Sequence, residues 1–432
     1  VANGAVSPLT AAGRRAPWLP PRADPEAGRL VAGRALRGFA DGLASVLLPV
    51  HLAALGFSEL AIGSAATATL LGSALLTLAV GLGAVRAPPR AILLGAAALM
   101  AATGAGFAAC EGFAAVLVVA FVGTLNPSVG DVSVFLPTEQ ALLAHHCAER
   151  DRTALFARYN LGGSFASALG ALVAALPVTA TRSLGLPLTT GTRAAFLCYG
   201  AIGLAIAVLY RRLRAPEPVH PAAPPRRPLA RSRGVVLRLS ALFALDSFGG
   251  GFVVQSLLVL WLLGRHGMPA DRAAAVMAAC GVLAALSQLG SAPLAHRIGL
   301  VRTMVFTHLP ANAFLIAAAF APGAGGAVVC LALRAALSQM DVPARQALVM
   351  ASVPPEERPA AASVTNVPRS LATAASPMLS GALLAASAFG WPLVIGGALK
   401  IAYDLLLLAG FGRFGVPSGA GPAGEPAERG SA

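Results

Sequence analysis

Charge is scarce in this chain. Charged side chains make up 12% of its 432 residues, whereas a soluble domain carries about 25%. Lys400 is its single lysine. No Gly-x-x-x-x-Gly-Lys-Ser/Thr run exists, so the chain has no phosphate loop with which to cradle ATP in the usual way. Cysteine is sparse as well. Cys110, Cys147, Cys198, Cys280 and Cys330 stand apart without a pairwise motif, which excludes a disulfide framework and a zinc site read from spacing. Aromatic residues are only 6% of the chain, which argues against a cavity built for a large flat hydrophobic cation. What abounds is apolar: 56% of the residues are hydrophobic, the composition of a polytopic membrane protein.

Spans of ~20 mostly apolar residues cross a bilayer as helix. Six are expected in the first half: Arg34–Leu55, Leu60–Ala84, Arg90–Cys110, Gly112–Leu136, Thr153–Leu176 and Arg193–Tyr210. Six more follow: Val235–Gly264, Asp271–Ala295, Val301–Ala321, Gly326–Val349, Ala360–Ala386 and Trp391–Phe411. The halves are homologous. Pro137, Gln140, Ala141, Leu142, Arg152, Asn160 and Ser164 return 206 residues later as Pro343, Gln346, Ala347, Leu348, Arg358, Asn366 and Ser370. Upstream, Asp41 returns as Asp246.

The formal net charge of +14 invites a nucleic-acid reading, but its distribution opposes one. Arginines crowd the N-terminal stretch and the connections after even-numbered helices, while connections after helices 1, 3, 9 and 11 hold none. A nucleic-acid patch has no reason to alternate with helix parity, and the positive-inside rule does. Both termini are therefore expected in the cytoplasm, with the chain in the cytoplasmic membrane among its lipids. The Pro- and Arg-rich stretch 211–234 reads as a cytoplasmic linker between bundles at 34–210 and 235–412. Residues 1–33 and 413–432 read as disordered cytoplasmic tails.

Two homologous six-helix halves joined by a long basic loop resemble the major facilitator superfamily of secondary transporters. That family's loop signature runs Gly-x-x-x-Asp-Arg-x-Gly-Arg-Arg. The second copy survives here as Leu294-Ala295-His296-Arg297-Ile298-Gly299-Leu300-Val301-Arg302, and the first decays to Gly81-Leu82-Gly83-Ala84-Val85-Arg86. Arg86, Arg297 and Gly299 match, while His296 and Val85 replace both aspartates and remove the family's usual gating ion pair. The proton antiporters' Gly-x-x-x-Gly-Pro run is absent from helix 5. The resemblance implies an all-α integral membrane protein with twelve transmembrane helices in two pseudo-symmetric six-helix bundles. It also implies that helices 1, 4, 7 and 10 line a central cavity.

Charges inside a membrane are costly and default to functional candidates facing the bundle interior. On helix 10, Arg334, Ser338, Asp341 and Arg345 fall on one stripe of a 3.6-residue helix. Thr124, Ser128, Asp131 and Thr138 form the matching stripe on helix 4, and Asn366, Arg369, Thr373 and Ser376 another on helix 11. Pro127, Pro137, Pro343, Pro368 and Pro377 interrupt these helices where cavity water can satisfy freed carbonyls. Asp341, with Asp131 and Arg345, is read either as the site of a coupling proton or as half of a static ion pair. Arg334 and Arg369, whose forked donors suit a carboxylate or phosphate, are read either as an anion site or as charge balance.

His51 and Gln255 lie deeper on helices 1 and 7 and are read as substrate contacts or satisfied core polar residues. Asp41 and Asp246 are expected to pair with arginines such as Arg37 and Arg238. Together with Arg86, Arg297, Gly299, Arg152 and Arg358, they form a candidate gating set. His145, His146, Cys147 and Glu149 are metal-ligand types on a short loop without a partner cluster, so no metal or other cofactor is expected.

No nucleophile with a base and no metal cluster gathers at one depth, so an enzyme is not expected. The reading is a monomeric secondary transporter of a small solute, coupled to protons or driven by the solute's own gradient. A transporter-like sensor or scaffold is the competing class.

Overall fold

The structure, a computed structural model, describes residues 24–81, 87–127, 133–145, 152–214, 229, 232–354 and 357–412. Among them the regular elements are α-helices, apart from a 3-10 turn at Gln288–Gly290. The first half holds α1 (Pro25–Ala54), α2 (Glu59–Gly81), α3 (Pro89–Ala109), α4 (Phe113–Val122), α5 (Phe135–His145), α6 (Arg152–Val173), α7 (Ala175–Ser183) and α8 (Leu188–Arg211). The second holds α9 (Arg233–Gly251), α10 (Gln255–His266), α11 (Ala270–Ser287), α12 (Ser291–Ile298), α13 (Leu300–Phe320), α14 (Ala324–Leu337), α15 (Asp341–Ala351), α16 (Arg358–Ala375), α17 (Pro377–Ala386) and α18 (Trp391–Phe411).

The expected tail of residues 1–33 is too long, because α1 already starts at Pro25. Asp24 caps it by accepting from the Glu26 amide at 3.1 Å. Pro25 fits the first helical position, where no donor is needed, and Glu26 puts an acid in the first turn.

Nine spans among the described residues are long and apolar enough to cross a membrane. The stretches expected as helices 1, 4 and 11 are not among them. Arg37, Asp41 and His51 dilute α1, and Arg358, Asn366 and Arg369 dilute α16. Helix 4, expected unbroken over Gly112–Leu136, stops at Val122 and resumes at Phe135. There the Thr124 amide turns to the Thr103 hydroxyl at 3.2 Å. Pro127 lacks an amide proton, and its carbonyl accepts from the Ser256 amide at 3.2 Å, bridging to α10. Helix 10, expected over Gly326–Val349, breaks between Leu337 and Asp341.

The two halves pack alike. In the first, α1 lies on α6, α3 on α8 and α2 on α4; in the second, α9 lies on α16, α13 on α18 and α11 on α14. Glycine sets the closest approach. A Cβ on Gly42 would sit 1.9 Å from the Ser167 carbonyl oxygen, so α1 and α6 touch backbone to backbone, as small residues allow in membranes. The halves meet where α2 packs on α16 and α17 and where α11 packs on α6 and α7.

One apolar cluster spans both halves. Leu43, Leu47 and Val50 of α1 and Val178 of α7 pack with Val259 and Leu262 of α10 and Met277 of α11. It occupies the end of the helices remote from the start of α1 and the end of α18. Of the two other clusters, one fills the interior of the first half and also takes in Val254, Leu257, Leu260 and Ala374, and the other lies within the second half.

Candidate functional site

A cavity of about 940 Å³ separates the halves. Its lining runs from Gln255 and Leu331 to Arg34, Gln346 and Met350, toward the end where α1 begins and α15 finishes. The cross-half apolar cluster closes the opposite end. Helix breaks surround it. The interruptions at Ser338–Met340, Phe252–Val254 and Ser376 place non-helical backbone beside polar side chains, where it is tolerated at membrane depth.

All four members of the expected helix-10 stripe, Arg334, Ser338, Asp341 and Arg345, line the cavity, as do Asn366, Arg369 and Thr373 of α16 and Gln255 of α10. Asp41 and Asp246 line it from α1 and α9.

Asp246 is heavily engaged. Lys400 of α18 donates to its Oδ1 at 2.6 Å, and Arg345 Nη2 stands 3.2 Å from Oδ2. Arg345 also pairs with Asp341 one turn back and lies over the Phe243 ring at 5.6 Å. Behind them, His308 Nδ1 stands 3.0 Å from Asp404 Oδ1, and its Nε2 is 3.8 Å from Asp246. Asn312 donates to Asp404 Oδ2 at 3.3 Å. The network joins α9, α13, α15 and α18. Asp246 therefore pairs with Lys400 and Arg345 rather than with the expected Arg238.

The first half carries the same kind of lock with inverted charge. Arg37 of α1 makes a two-pronged pair with Glu139 of α5, its Nη2 2.9 Å from Oε2. Tyr210 donates to Oε1 at 2.6 Å and Tyr159 to Oε2. The guanidinium lies over the Phe135 ring at 4.7 Å. In the repeat, Arg345 stands where Glu139 stands, 206 residues on. Helix 1 thus offers the cation and helix 4 the acid, while helix 7 offers the acid and helix 10 the cation. Arg37 is thus taken up by Glu139 and makes no ion pair with Asp41, although its charge lies near that carboxylate. That carboxylate is 4% exposed, and it makes neither a hydrogen bond nor an ion pair with any described residue.

His51 does not line the cavity. Its Nδ1 is 2.7 Å from the Thr192 hydroxyl and its Nε2 3.1 Å from the Phe107 carbonyl, against the Phe196 ring. Helical period placed it on α1 but could not say which face it takes. Arg297 is exposed at the end of α12 and does not line the cavity. Gly299 makes the corner to α13 at φ 89°, a conformation suited to glycine. Arg152 and Arg358 open α6 and α16. Ser128, Asp131, Arg86 and the 146–149 part of the His/Cys stretch lie outside the described residues.

Sequence reasoning missed the partners Tyr159, Tyr210 and His308. The usable signal was that Arg37 lies one helical turn from Asp41, inside the membrane-length stretch.

Apolar helices, broken where they surround a polar cavity, define the chain as a multi-pass membrane protein with a central cavity. Among solved structures of similar fold are a D-xylose–proton symporter, with TM-score 0.69 and 16% identity over 88% of this chain and 97% of that one, and the nucleoside transporter NupG, with TM-score 0.68 and 13% identity over 89% and 99%. The uncharacterized membrane protein YJR124C of Saccharomyces cerevisiae is 25% identical over 411 residues, 87% of this chain and 92% of its own length. Residues 30–340 match the profile of the Major Facilitator Superfamily, and the chain belongs to that family.

Proposed function

We propose that the chain is a secondary transporter that moves a small polar solute by alternating access, coupled to protons. Two six-helix bundles, 25–211 and 233–412, rock about the central cavity. The cavity carries this reading: both halves line it, apolar contacts close one end, and its lining reaches the other. Midplane sites between repeats with broken helices are the arrangement that rocking exploits. The arginine distribution supports a cytoplasmic position for both termini, and with it an inward-open conformation in the cytoplasmic membrane. The chain works as a single copy.

The coupling proton is carried by Asp41. Asp341 shares Arg345 with Asp246, whereas Asp41 faces the cavity without a hydrogen-bond or ion-pair partner among the described residues, with the charges of Arg37 and Arg34 nearby. A proton-symporter name among proteins of similar fold supports coupling. The test is a proteoliposome assay with a trapped pH dye and a panel of small solutes. Asp41→Asn is expected to abolish solute-driven proton movement while solute exchange continues, and Asp341→Asn to retain both. Proton movement surviving in Asp41→Asn overturns the assignment. Solute flux without proton movement in the unaltered protein makes it a facilitated-diffusion carrier.

A further inference from the structure

Resting on the transporter reading, we infer that Arg334 holds the anionic head of the transported solute, so that the substrate class is a small, non-aromatic organic anion. Among the described residues three acids line the cavity against five permanent cations. Two of the acids, Asp246 and Asp341, are taken up by Lys400 and Arg345. Arg369 donates to Ser247 at 3.2 Å and to Asn366 at 3.3 Å. Arg334 has no such partner among the described residues. Its side chain makes no hydrogen bond and no ion pair with a described residue, and its Nε is buried and unsatisfied. Among the described residues the titratable side chain near enough to feel its charge is the Cys280 thiol of α11.

A bare guanidinium at membrane depth is expensive. Arg334 lies in the last turn of α14, where carbonyls carry roughly half a negative charge. That offsets part of the cost but leaves the forked donors unfilled. A carboxylate or phosphate ester fills them, because its paired oxygens match the fork. The rest of the lining narrows the class. Ser338, Gln339, Gln288 and Gln255 offer neutral hydrogen bonds to hydroxyl or amide groups, and Phe243 is the one Phe, Tyr or Trp among the described lining residues, which also include the His308 imidazole. The Phe243 face is already covered by the Arg345 guanidinium, so the described lining offers a flat ring system little to stack on.

Cys280 lines the same cavity and is a built-in reporter. In a protein whose other four cysteines are serine, the anionic reagent methanethiosulfonate ethylsulfonate is expected to modify Cys280 about tenfold or more faster than the cationic trimethylammonium analogue, since a fixed charge in a low-dielectric cleft concentrates counter-ions by 10-fold or more. Arg334→Gln should collapse that ratio and Arg334→Lys should keep most of it, with size-exclusion profiles confirming that both variants fold.

Protection is then measured with hydroxylated carboxylates, phosphate esters and neutral polyols of matched size. The anions are expected to protect Cys280 in the parent and not in Arg334→Gln, and the more protective group identifies carboxylate or phosphate. Equal reagent rates in the parent, equal protection by polyols, or undiminished protection in Arg334→Gln overturns the inference. A high reagent ratio without protection by any panel member sustains the anion site and excludes those members. Failure of the transporter reading looks different: anions protect Cys280, yet none crosses in proteoliposomes.

Discussion

Removing Arg37 alone should destabilise the protein more than removing Arg37 together with the charge it neutralises. Glu139 is fully buried and accepts from Arg37, Tyr159 and Tyr210. Arg37→Met leaves that carboxylate in the apolar interior with only two hydroxyl donors. Breaking one side of a buried pair costs about 3–5 kcal/mol. Glu139→Gln strands the guanidinium at similar cost, although the amide oxygen still receives a tyrosine. In Arg37→Met with Glu139→Gln no net charge is buried, and a well-packed neutral replacement of a buried pair is often near neutral in stability. The expected coupling is therefore at least about 2 kcal/mol in favour of the double variant, read from a double-mutant cycle on contacting residues. Unfolding of purified protein by dodecyl sulfate in mixed micelles, followed by tryptophan fluorescence, gives the four free energies. Single variants within about 0.5 kcal/mol of the parent, or a double variant as unstable as the sum of the singles, would refute the reasoning.

In the second half, Arg345 serves both Asp246 and Asp341, whereas Lys400 serves Asp246 alone. Arg345→Met should thus lower the melting temperature in detergent more than Lys400→Met, and equal losses would contradict the shared-cation geometry. At the closed end, a Cβ on Gly63 would lie 2.5 Å from the Pro377 carbonyl oxygen and 2.9 Å from the Gly381 Cα. Gly63→Leu should push α2 off α17 and raise labelling of a cysteine at Thr67 by a membrane-impermeant maleimide from the outer side. Unchanged labelling would show that this contact does not set the closed end.

How far the sequence carries depends on whether a feature is local. The helix-10 stripe was legible because a period of 3.6 places Arg334, Ser338, Asp341 and Arg345 together whatever they face, and the cavity receives all four. The start of α1 was missed by nine residues, although Asp24-Pro25-Glu26 carries the cap signal. Breaks were harder. Pro127 marks an interruption, but only the turn from Gly123 onward shows helix 4 ending at Val122. Long-range pairing was not legible. Arg37 and Glu139 are 102 residues apart, and the repeat conceals their counterpart because Arg345 replaces Glu139 with the opposite charge. The equivalence of Asp41 and Asp246 was visible, but their contrast was not. It arises from Lys400 and Arg345, which approach Asp246 from other helices.

The most direct measurement is pulsed electron-spin resonance between nitroxide pairs in nanodiscs. One pair, at Ala54 and Arg265, spans the closed end between α1 and α10; the other, at Arg211 and Arg302, spans the opposite end between α8 and α13. The account predicts a short closed-end distance in the parent, and in Gly63→Leu a population in which that distance lengthens while the other shortens. Distances that stay fixed at both ends, or lengthen together, would contradict alternating access through this cavity.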